Sequence, residues 1–481
     1  MLAPRGKLGS NVSMLHRLYR SVYENTTDRA ADERQVEEEL TVVPASSGIG
    51  PPGSPVRFFK RSSNGNLWVP RYYGVARYGS PDVDMLSDGE KMAEEVQFMG
   101  TLDATRRQPD AAMAAMAALD QGEGGVISLP CGYGKTALAL YVACKHGRRT
   151  MVICHKMFLL GQWEERIAQF LPGARVGIVK QARCEVKGCD IILASMQSLA
   201  MHRYDKGAFD SIGFLIIDEA HRVCAEVMSR ALFKMSPRST LGLSATPDRK
   251  DGLSCVLRWF IGPQLFQCER DTGDKPTVEV HLADTGAGFE AYNKAQKLCI
   301  ATMTSWLVEH EGRNRQLVNL IIAEALAGRQ ILILSERRAH LRVLHDLVKT
   351  HNPGLQLGYY VGAMAQADLD EAASKSQILF ATYAMASEGL DIQTLQTIIL
   401  ASPKSTIEQS VGRVLRGAPE PKIIDISDSY SIFRGMGLKR SRFYMSQGWQ
   451  PVTVDERKRI RRENAQTTPR TLGPRFILEY I

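Results

Sequence analysis

The apolar run Gly125-Val126-Ile127-Ser128 leads into Leu129-Pro130-Cys131-Gly132-Tyr133-Gly134-Lys135-Thr136, and Ala137-Leu138-Ala139-Leu140-Tyr141-Val142 follows. The first run reads as a buried strand and the last as a helix, so the stretch between them is a strand-to-helix loop. Two glycines let the backbone N–H groups of such a loop turn inward around a polyphosphate. Lys135 then adds a point charge for the outer phosphates, and Thr136 a hydroxyl for Mg²⁺. Leu129 stands where the full Gly-x-x-x-x-Gly-Lys-Thr spacing has glycine, so only the shorter form is present. An ordinary strand-to-helix turn has the same appearance, and partners elsewhere in the chain must decide.

From Gln108 onward, strand and helix patterns alternate. Strands are expected at 125–129, 150–154, 175–179, 190–195, 213–218 and 239–243, with helices such as 158–170 and 223–234 between them. A second set has strands at 330–335, 356–361, 377–381, 395–400 and 421–426 and helices at 316–327, 337–350 and 405–416. Such alternation implies parallel sheets covered on both faces. The expected architecture is α/β: two tandem parallel-sheet lobes, a small N-terminal β-rich module and a basic C-terminal tail. The boundaries expected are 1–85 for the module, 86–256 for the first lobe, 257–312 for a loop-rich connector, 313–430 for the second lobe and 431–481 for the tail. Within 1–85, Met14 to Arg20 suits a basic amphipathic helix, a surface element or part of a transit peptide. Pro44 to Pro55 is a Pro/Gly/Ser linker. Val56 to Lys60 and Asn66 to Pro70 read as short strands, and Arg71-Tyr72-Tyr73-Gly74 continues the same module.

With 481 residues, 44% apolar and 23% charged, the chain has the composition of a globular protein of two or three domains. No apolar run reaches the length of a membrane span, so no membrane role is expected. Nine cysteines without a Cys-x-x-Cys favour reduced thiols in a cytoplasmic or nuclear compartment. The net charge of +8 is concentrated between Arg434 and Arg475, where eleven Lys or Arg face Asp455, Glu456 and Glu463. Interleaved with Phe443, Tyr444 and Trp449, that tail suits a phosphate backbone with bases on the rings. A solvated helix over 454–464 is the alternative.

Other stretches carry chemistry in the same order along the chain. Leu215-Ile216-Ile217-Asp218-Glu219-Ala220-His221 places two carboxylates at the C-terminal end of a buried strand, where ligands of open α/β sheets gather. Asp218 there suits Mg²⁺ and Glu219 suits polarising a water; capping a helix is the bland alternative. Ser244-Ala245-Thr246 ends another apolar strand, with hydroxyls 244 and 246 placed to bond His221 or Asp218 and report nucleotide state. Gln409, Arg413 and Arg416 are spaced by four and three, one face of an expected helix, and two guanidiniums with an amide suit a γ-phosphate as an arginine finger. Gly389 permits close backbone approach, Asp391 can bond a ribose or position water, and Thr382 can meet a nucleic-acid phosphate.

Together these residues resemble the superfamily 2 helicases of DEAH-box type, whose fold is a pair of RecA-like lobes. Gly132 to Thr136 looks like motif I, Asp218-Glu219-Ala220-His221 like motif II, Ser244-Ala245-Thr246 like motif III, Gly389-Leu390-Asp391 like motif V and Gln409 to Arg416 like motif VI. Val152 to Lys156, Ala194 to Leu199 and Ile331 to Arg337 resemble motifs Ia, Ib and IV. The resemblance implies nucleic-acid contacts at His155, Lys156, Gln197, Ser198, Ser335 and Thr382, and an adenine-reading glutamine at Gln108. The nearest likeness is to XPB-like DNA helicases and the transcription helicases of large cytoplasmic DNA viruses, from Leu-Pro-Cys-Gly-x-Gly-Lys-Thr, Gln-x-x-Gly-Arg-x-x-Arg and Pro247-Asp248-Arg249-Lys250-Asp251-Gly252. Lys250 differs from the acidic residue in the XPB version. The resemblance implies ATP and Mg²⁺ as cofactors, DNA in preference to RNA, transcription or repair machinery as partners, a monomer when free, and a host cell or virion if viral. An RNA helicase and a catalytically silent nucleic-acid-binding scaffold are the competing readings; the intact set Lys135, Glu219, Arg413 and Arg416 argues against silence.

Overall fold

The computed structural model describes residues 16–19, 22–25, 30–44, 54–62, 65–130, 132–224, 226–245, 253–268, 275–283, 285, 288–294, 296–362, 364–388, 392, 394–408, 410–411 and 420–454. Every structural statement below concerns these residues. The chain forms two units, Met1–Arg270 and Asp271–Ile481.

In the first unit, strands β1 (His16–Tyr19), β2 (Val22–Asn25), β3 (Thr41–Val42), β4 (Val56–Arg57), β5 (Lys60–Arg61), β6 (Leu67–Pro70) and β7 (Val83–Asp84) precede the large sheet. Five of them form a sheet in the order β5-β6-β2-β1-β7, and β3 pairs with β4. Helices α1 (Ala30–Glu39) and α2 (Arg71–Tyr78) accompany them. One local expectation fails here. His16–Tyr19 is a strand and not part of an amphipathic helix, because it finds an antiparallel partner in β2. Arg71 onward turns helical, with Pro70 as N-cap at φ −55°. Tertiary bonds hold that turn: the Arg71 guanidinium donates to the carbonyls of Arg238 (2.6 Å) and Gly122 (2.9 Å). Phe58, fully buried, meets Trp259 and Phe260 edge-on at 6.3 and 6.4 Å and ties these strands to the large sheet's core.

That sheet comprises β8 (Gly124–Ser128), β9 (Thr150–Cys154), β10 (Val176–Lys180), β11 (Arg183–Cys184), β12 (Ile191–Ser195), β13 (Phe214–Ile217), β14 (Ser239–Ser244) and β15 (Gln264–Gln267). Their order is β11-β10-β12-β9-β13-β14-β8-β15, parallel except for the β10–β11 pair. Strands β8, β9, β12, β13 and β14 are buried at every position, which is why they read as continuous apolar runs. Helices α3 (Gln108–Asp120), α4 (Lys135–His146), α5 (Met157–Phe170), α6 (Met196–Met201), α7 (Glu226–Leu232) and α8 (Ser254–Phe260) flank it. Ser128 pairs with Ser244, and Ser195 with Cys154, so the C-terminal strand ends form one row. The loops that follow share that edge.

The second unit is a seven-stranded parallel sheet of β16 (Thr277–Leu282), β17 (Ile331–Ser335), β18 (Leu357–Tyr360), β19 (Ile378–Thr382), β20 (Thr397–Leu400), β21 (Lys422–Ser427) and β22 (Pro451–Val454), ordered β18-β19-β17-β20-β21-β16-β22. Helices α9 (Ile300–Glu309), α10 (Glu311–Leu326), α11 (Arg338–His351), α12 (Gln366–Lys375), α13 (Tyr383–Glu388) and α14 (Ser431–Ser446) accompany it. The lobe strands expected from the apolar runs all occur, with ends within two residues of expectation.

Residues 257–312 are not loop throughout: they supply much of α8, then β15, β16 and α9. The stretch from 431, expected as a basic extension, gives α14 and the edge strand β22 of the second sheet. Two of its three rings are drawn into the fold. Tyr444 and Trp449 are buried in that core, and the Tyr444 hydroxyl donates to Asp425 at 2.9 Å. Arg440 is buried against the same carboxylate. A second buried pair, Arg313 with Asp428, adds a donation from Arg313 to the Ala401 carbonyl at 2.6 Å. Among the described residues no helix is long and apolar enough to cross a membrane, and no group of three or more His, Cys, Asp or Glu is placed to hold a metal.

Candidate active site

The loop after β8 enters α4 through Gly134, whose φ of +70° places it in the left-handed region; Gly132 has φ +87°. A Cβ at 134 would also lie 2.3 Å from Gln108 Nε2 and displace that amide. Gln108 is buried, donates to the Tyr133 carbonyl at 2.8 Å, and accepts from the Asp103 N–H at 2.8 Å. Both ends of its amide thus bond backbone groups, and Gln108 clamps the loop to the segment before α3. Arg106 reinforces the clamp by donating to the Gly132 carbonyl at 3.0 Å. Lys135 and Thr136 open α4, partly exposed, where unsatisfied N–H groups and the helix dipole favour an anion. Lys135 Nζ donates to the carbonyls of Leu129 (3.0 Å) and Pro130 (3.3 Å), which holds the ammonium over the loop.

Two strands away, Asp218 and Glu219 leave the end of β13. Glu219 has φ +49°, a left-handed conformation costly for a residue with a side chain. The Glu219 N–H donates to Asp218 Oδ1 at 3.0 Å, and the Trp163 indole donates to Oδ2 at 2.9 Å. Burial, and then the neighbouring Glu219 carboxylate, push the Asp218 pKa up, while Trp163, Lys135 and the Glu219 N–H pull it back. Glu219 Oε2 is buried and lies 3.4 Å from His221 Nδ1, within ion-pair range but without hydrogen-bond alignment. His221 Nδ1 also sits 3.3 Å from the Ser244 hydroxyl at the end of β14. The site thus links β13 to β14 as well as to α5.

The donor set fits Mg²⁺. Its candidate ligands are hard oxygens, and the tension between two carboxylates with one raised pKa is what a divalent cation relieves.

The remaining expected residues divide sharply. His155 and Lys156 follow β9 on the C-terminal edge, half-buried, and Gln197 is exposed on α6. Ser198 is buried and accepts from the Gln181 N–H at 2.9 Å. Ser335 is likewise fully buried, its hydroxyl 2.9 Å from His340 Nδ1 and accepting from the Arg337 N–H. Thr382, partly exposed, accepts from the Met385 N–H at 3.4 Å and opens α13. Thr246, Gly389, Asp391, Gln409, Arg413 and Arg416 lie outside the described residues, as do 247–252 and the chain beyond 454. Sequence reasoning missed Trp163 and the clamping role of Arg106. A lone tryptophan on an amphipathic helix directly after β9 was the available signal for the first; the second has none in the sequence.

A glycine loop with its lysine after one parallel strand, and paired carboxylates after another, define a phosphate-loop ATPase. The first part of the chain, residues 101–249, matches the family profile described as type III restriction enzyme, res subunit, and residues 312–418 match the helicase conserved C-terminal domain. A protein of Acanthamoeba polyphaga mimivirus named as an ATP-dependent RNA helicase is 32% identical over 437 residues, 86% of this chain and 82% of its own. A protein of African swine fever virus, also named as an ATP-dependent RNA helicase, is 25% identical over 352 residues, covering 67% and 69% of the two chains. Among solved structures, S. cerevisiae Dbp5 bound to RNA and ADP BeF3 shares the fold, with a TM-score of 0.52 at 13% identity over 74% of this chain and 93% of its own. The chain belongs to the superfamily 2 helicases, related to those of large DNA viruses, and is an ATP-hydrolysing enzyme.

Proposed function

We propose that the chain uses ATP hydrolysis to move along a strand of DNA, with Lys135, Asp218 and Glu219 as the catalytic groups of the first unit. The observation that carries this reading is that the loop bearing Lys135 and the Asp218–Glu219 pair leave the C-terminal ends of β8 and β13, two strands apart in one parallel sheet. Lys135 holds the outer phosphates, and the N–H groups of Gly132 to Thr136 hold the inner ones. Thr136 and Asp218 would hold Mg²⁺, which when bound neutralises phosphate charge. Glu219, in its left-handed turn, orients the attacking water and accepts its proton. His221, within reach of both Glu219 and Ser244, carries the state of that carboxylate to the end of β14. Arg413 and Arg416 are the arginines for charge developing on the γ-phosphate. The row of strand ends at His155, Lys156 and Gln197 offers charge and amide to a nucleic-acid backbone.

RNA is the second reading, favoured by the names of the mimivirus and African swine fever virus relatives. ATP hydrolysis measured in parallel with single-stranded DNA, duplex DNA and single-stranded RNA separates the two. Stimulation by DNA above RNA is expected; stimulation by RNA alone transfers the assignment to RNA, and no stimulation by any of them overturns the motor.

A further inference from the structure

The first unit contains a groove of about 810 Å³ away from the ATPase site. One wall comes from β4 and from β5 and β6 of the small N-terminal sheet, the other from α6, the loop after it and the region of α7. Seven Lys or Arg and two aspartates line it. Arg61 is neutralised by Glu33 and Glu37 at 2.9 and 2.8 Å. Arg57, Arg203 and Lys206 are exposed and have no carboxylate partner among the described residues. Lys234 Nζ donates to the carbonyls of Ala200 and His202, and burial together with the charges of Lys60 and Arg203 holds its pKa below the ordinary lysine value. Like charges gathered this closely repel one another, and a polyanion relieves the repulsion.

The groove also carries rings. Phe59, Trp68 and Tyr204 line it, and Lys60 Nζ sits 5.6 Å from the Trp68 ring centre. Its place in the fold continues the edge already described: α6 begins directly after Ser195 of β12, and the Tyr204 hydroxyl donates to the carbonyl of Gln181, the residue after β10. The sheet order runs outward from β13 through β9 and β12 to β10, so the groove lies farther along the edge that bears His155, Lys156 and Gln197.

We propose that this groove holds single-stranded nucleic acid outside the two lobe sheets, with phosphates against Arg57, Arg203 and Lys206 and unpaired bases against Phe59, Trp68 and Tyr204. Cations that track a backbone, with rings for bases of any sequence, are the recognition chemistry of single strands. A duplex keeps its bases stacked away from such rings. The proposal rests on the nucleic-acid reading above and adds the small N-terminal sheet to the substrate path.

The test uses the full chain with labelled oligothymidylate and oligouridylate, and the triple variant Arg57→Glu/Arg203→Glu/Lys206→Glu. All three positions are exposed and none belongs to the ATPase site, so hydrolysis without nucleic acid stays unchanged. Affinity for the oligonucleotide falls roughly tenfold or more at ~0.1 M salt, and the slope of log affinity against log salt shrinks by about 2, because three phosphates are no longer neutralised. Trp68→Ala weakens binding while leaving the slope intact, because a ring releases no counterions. Ultraviolet cross-linking of the unaltered chain gives adducts on peptides spanning 57–68 and 201–206. Equal affinity and slope in the triple variant, with cross-links elsewhere, overturn the groove while leaving the helicase reading standing. If the unaltered chain binds neither oligonucleotide, the nucleic-acid reading falls and the groove proposal with it.

Discussion

The Trp163 indole donates to Asp218 Oδ2 at 2.9 Å, and through that bond a buried side chain of α5 holds the carboxylate at the end of β13. Asp218 is under opposing pressures, raised by burial and Glu219 and lowered by Trp163 and Lys135. Of the lowering groups, Trp163 is the one whose removal leaves the phosphate loop untouched.

Trp163→Phe removes the donor while keeping most of the ring. A hydrogen bond to the ionised form favours that form, so its loss raises the Asp218 pKa further. ATP hydrolysis, which needs the carboxylate, should lose its acid limb at higher pH than in the unaltered chain. The measurement is the pH profile of kcat/KM; an unmoved acid limb would show that Asp218 does not govern it.

His340 links two hydroxyl- and amide-bearing partners inside the second unit. Its Nε2 sits 3.0 Å from Asn314 Oδ1 and its Nδ1 2.9 Å from the Ser335 hydroxyl, which assigns the proton to Nε2. Burial, aided by Arg313, pushes its pKa down to about 3. The unfolded imidazole, near 6.5, takes up its proton first, so this contribution is complete above that value and is lost as pH falls from about 6.5 toward 3, at about 1.4 kcal/mol per pH unit. His340→Gln should flatten the acid side of the stability profile measured by urea unfolding between pH 6.5 and 4.5. A profile as steep as that of the unaltered chain would refute it.

How much of this was legible in the sequence depended on whether a residue's role is local. Strands such as Ile191–Ser195 and Ile331–Ser335 announced themselves because burial on both faces forces unbroken apolar runs. The placement of Gly132, Gly134 and Lys135 after β8, and of Asp218 and Glu219 after β13, was legible because each group lies in one loop next to an unbroken apolar strand. The burial of Ser198 and Ser335 was not legible, because hydroxyl exposure is decided by partners such as Gln181 and His340. Tyr444 and Trp449 resembled a basic aromatic tail, but α14 brings Tyr444 and Arg440 onto Asp425 of β21, and Trp449 stacks on the buried Tyr444 ring. Arg71 to Tyr78 turned helical because Arg71 reaches the Gly122 and Arg238 carbonyls, contacts invisible at short range.

Arg416→Ala tests the second unit's share in turnover. A guanidinium that meets charge only as it develops contributes to kcat and little to ATP affinity, and such an arginine is worth ~10³-fold or more. Loss of nucleic-acid-stimulated hydrolysis with retained ATP binding is expected, and Arg416→Lys should rescue poorly because an ammonium lacks the planar fork. Intact stimulated turnover in the alanine variant would remove Arg416 from the reaction.

The central claim, that the Lys135, Asp218 and Glu219 edge hydrolyses ATP, is met most directly by steady-state hydrolysis and ATP binding measured side by side on Glu219→Gln. The amide keeps the side chain's size and the left-handed turn but accepts no proton, so hydrolysis should fall ~10²–10⁴-fold while ATP affinity is retained. Hydrolysis near that of the unaltered chain, with or without nucleic acid, would contradict the assignment of this site.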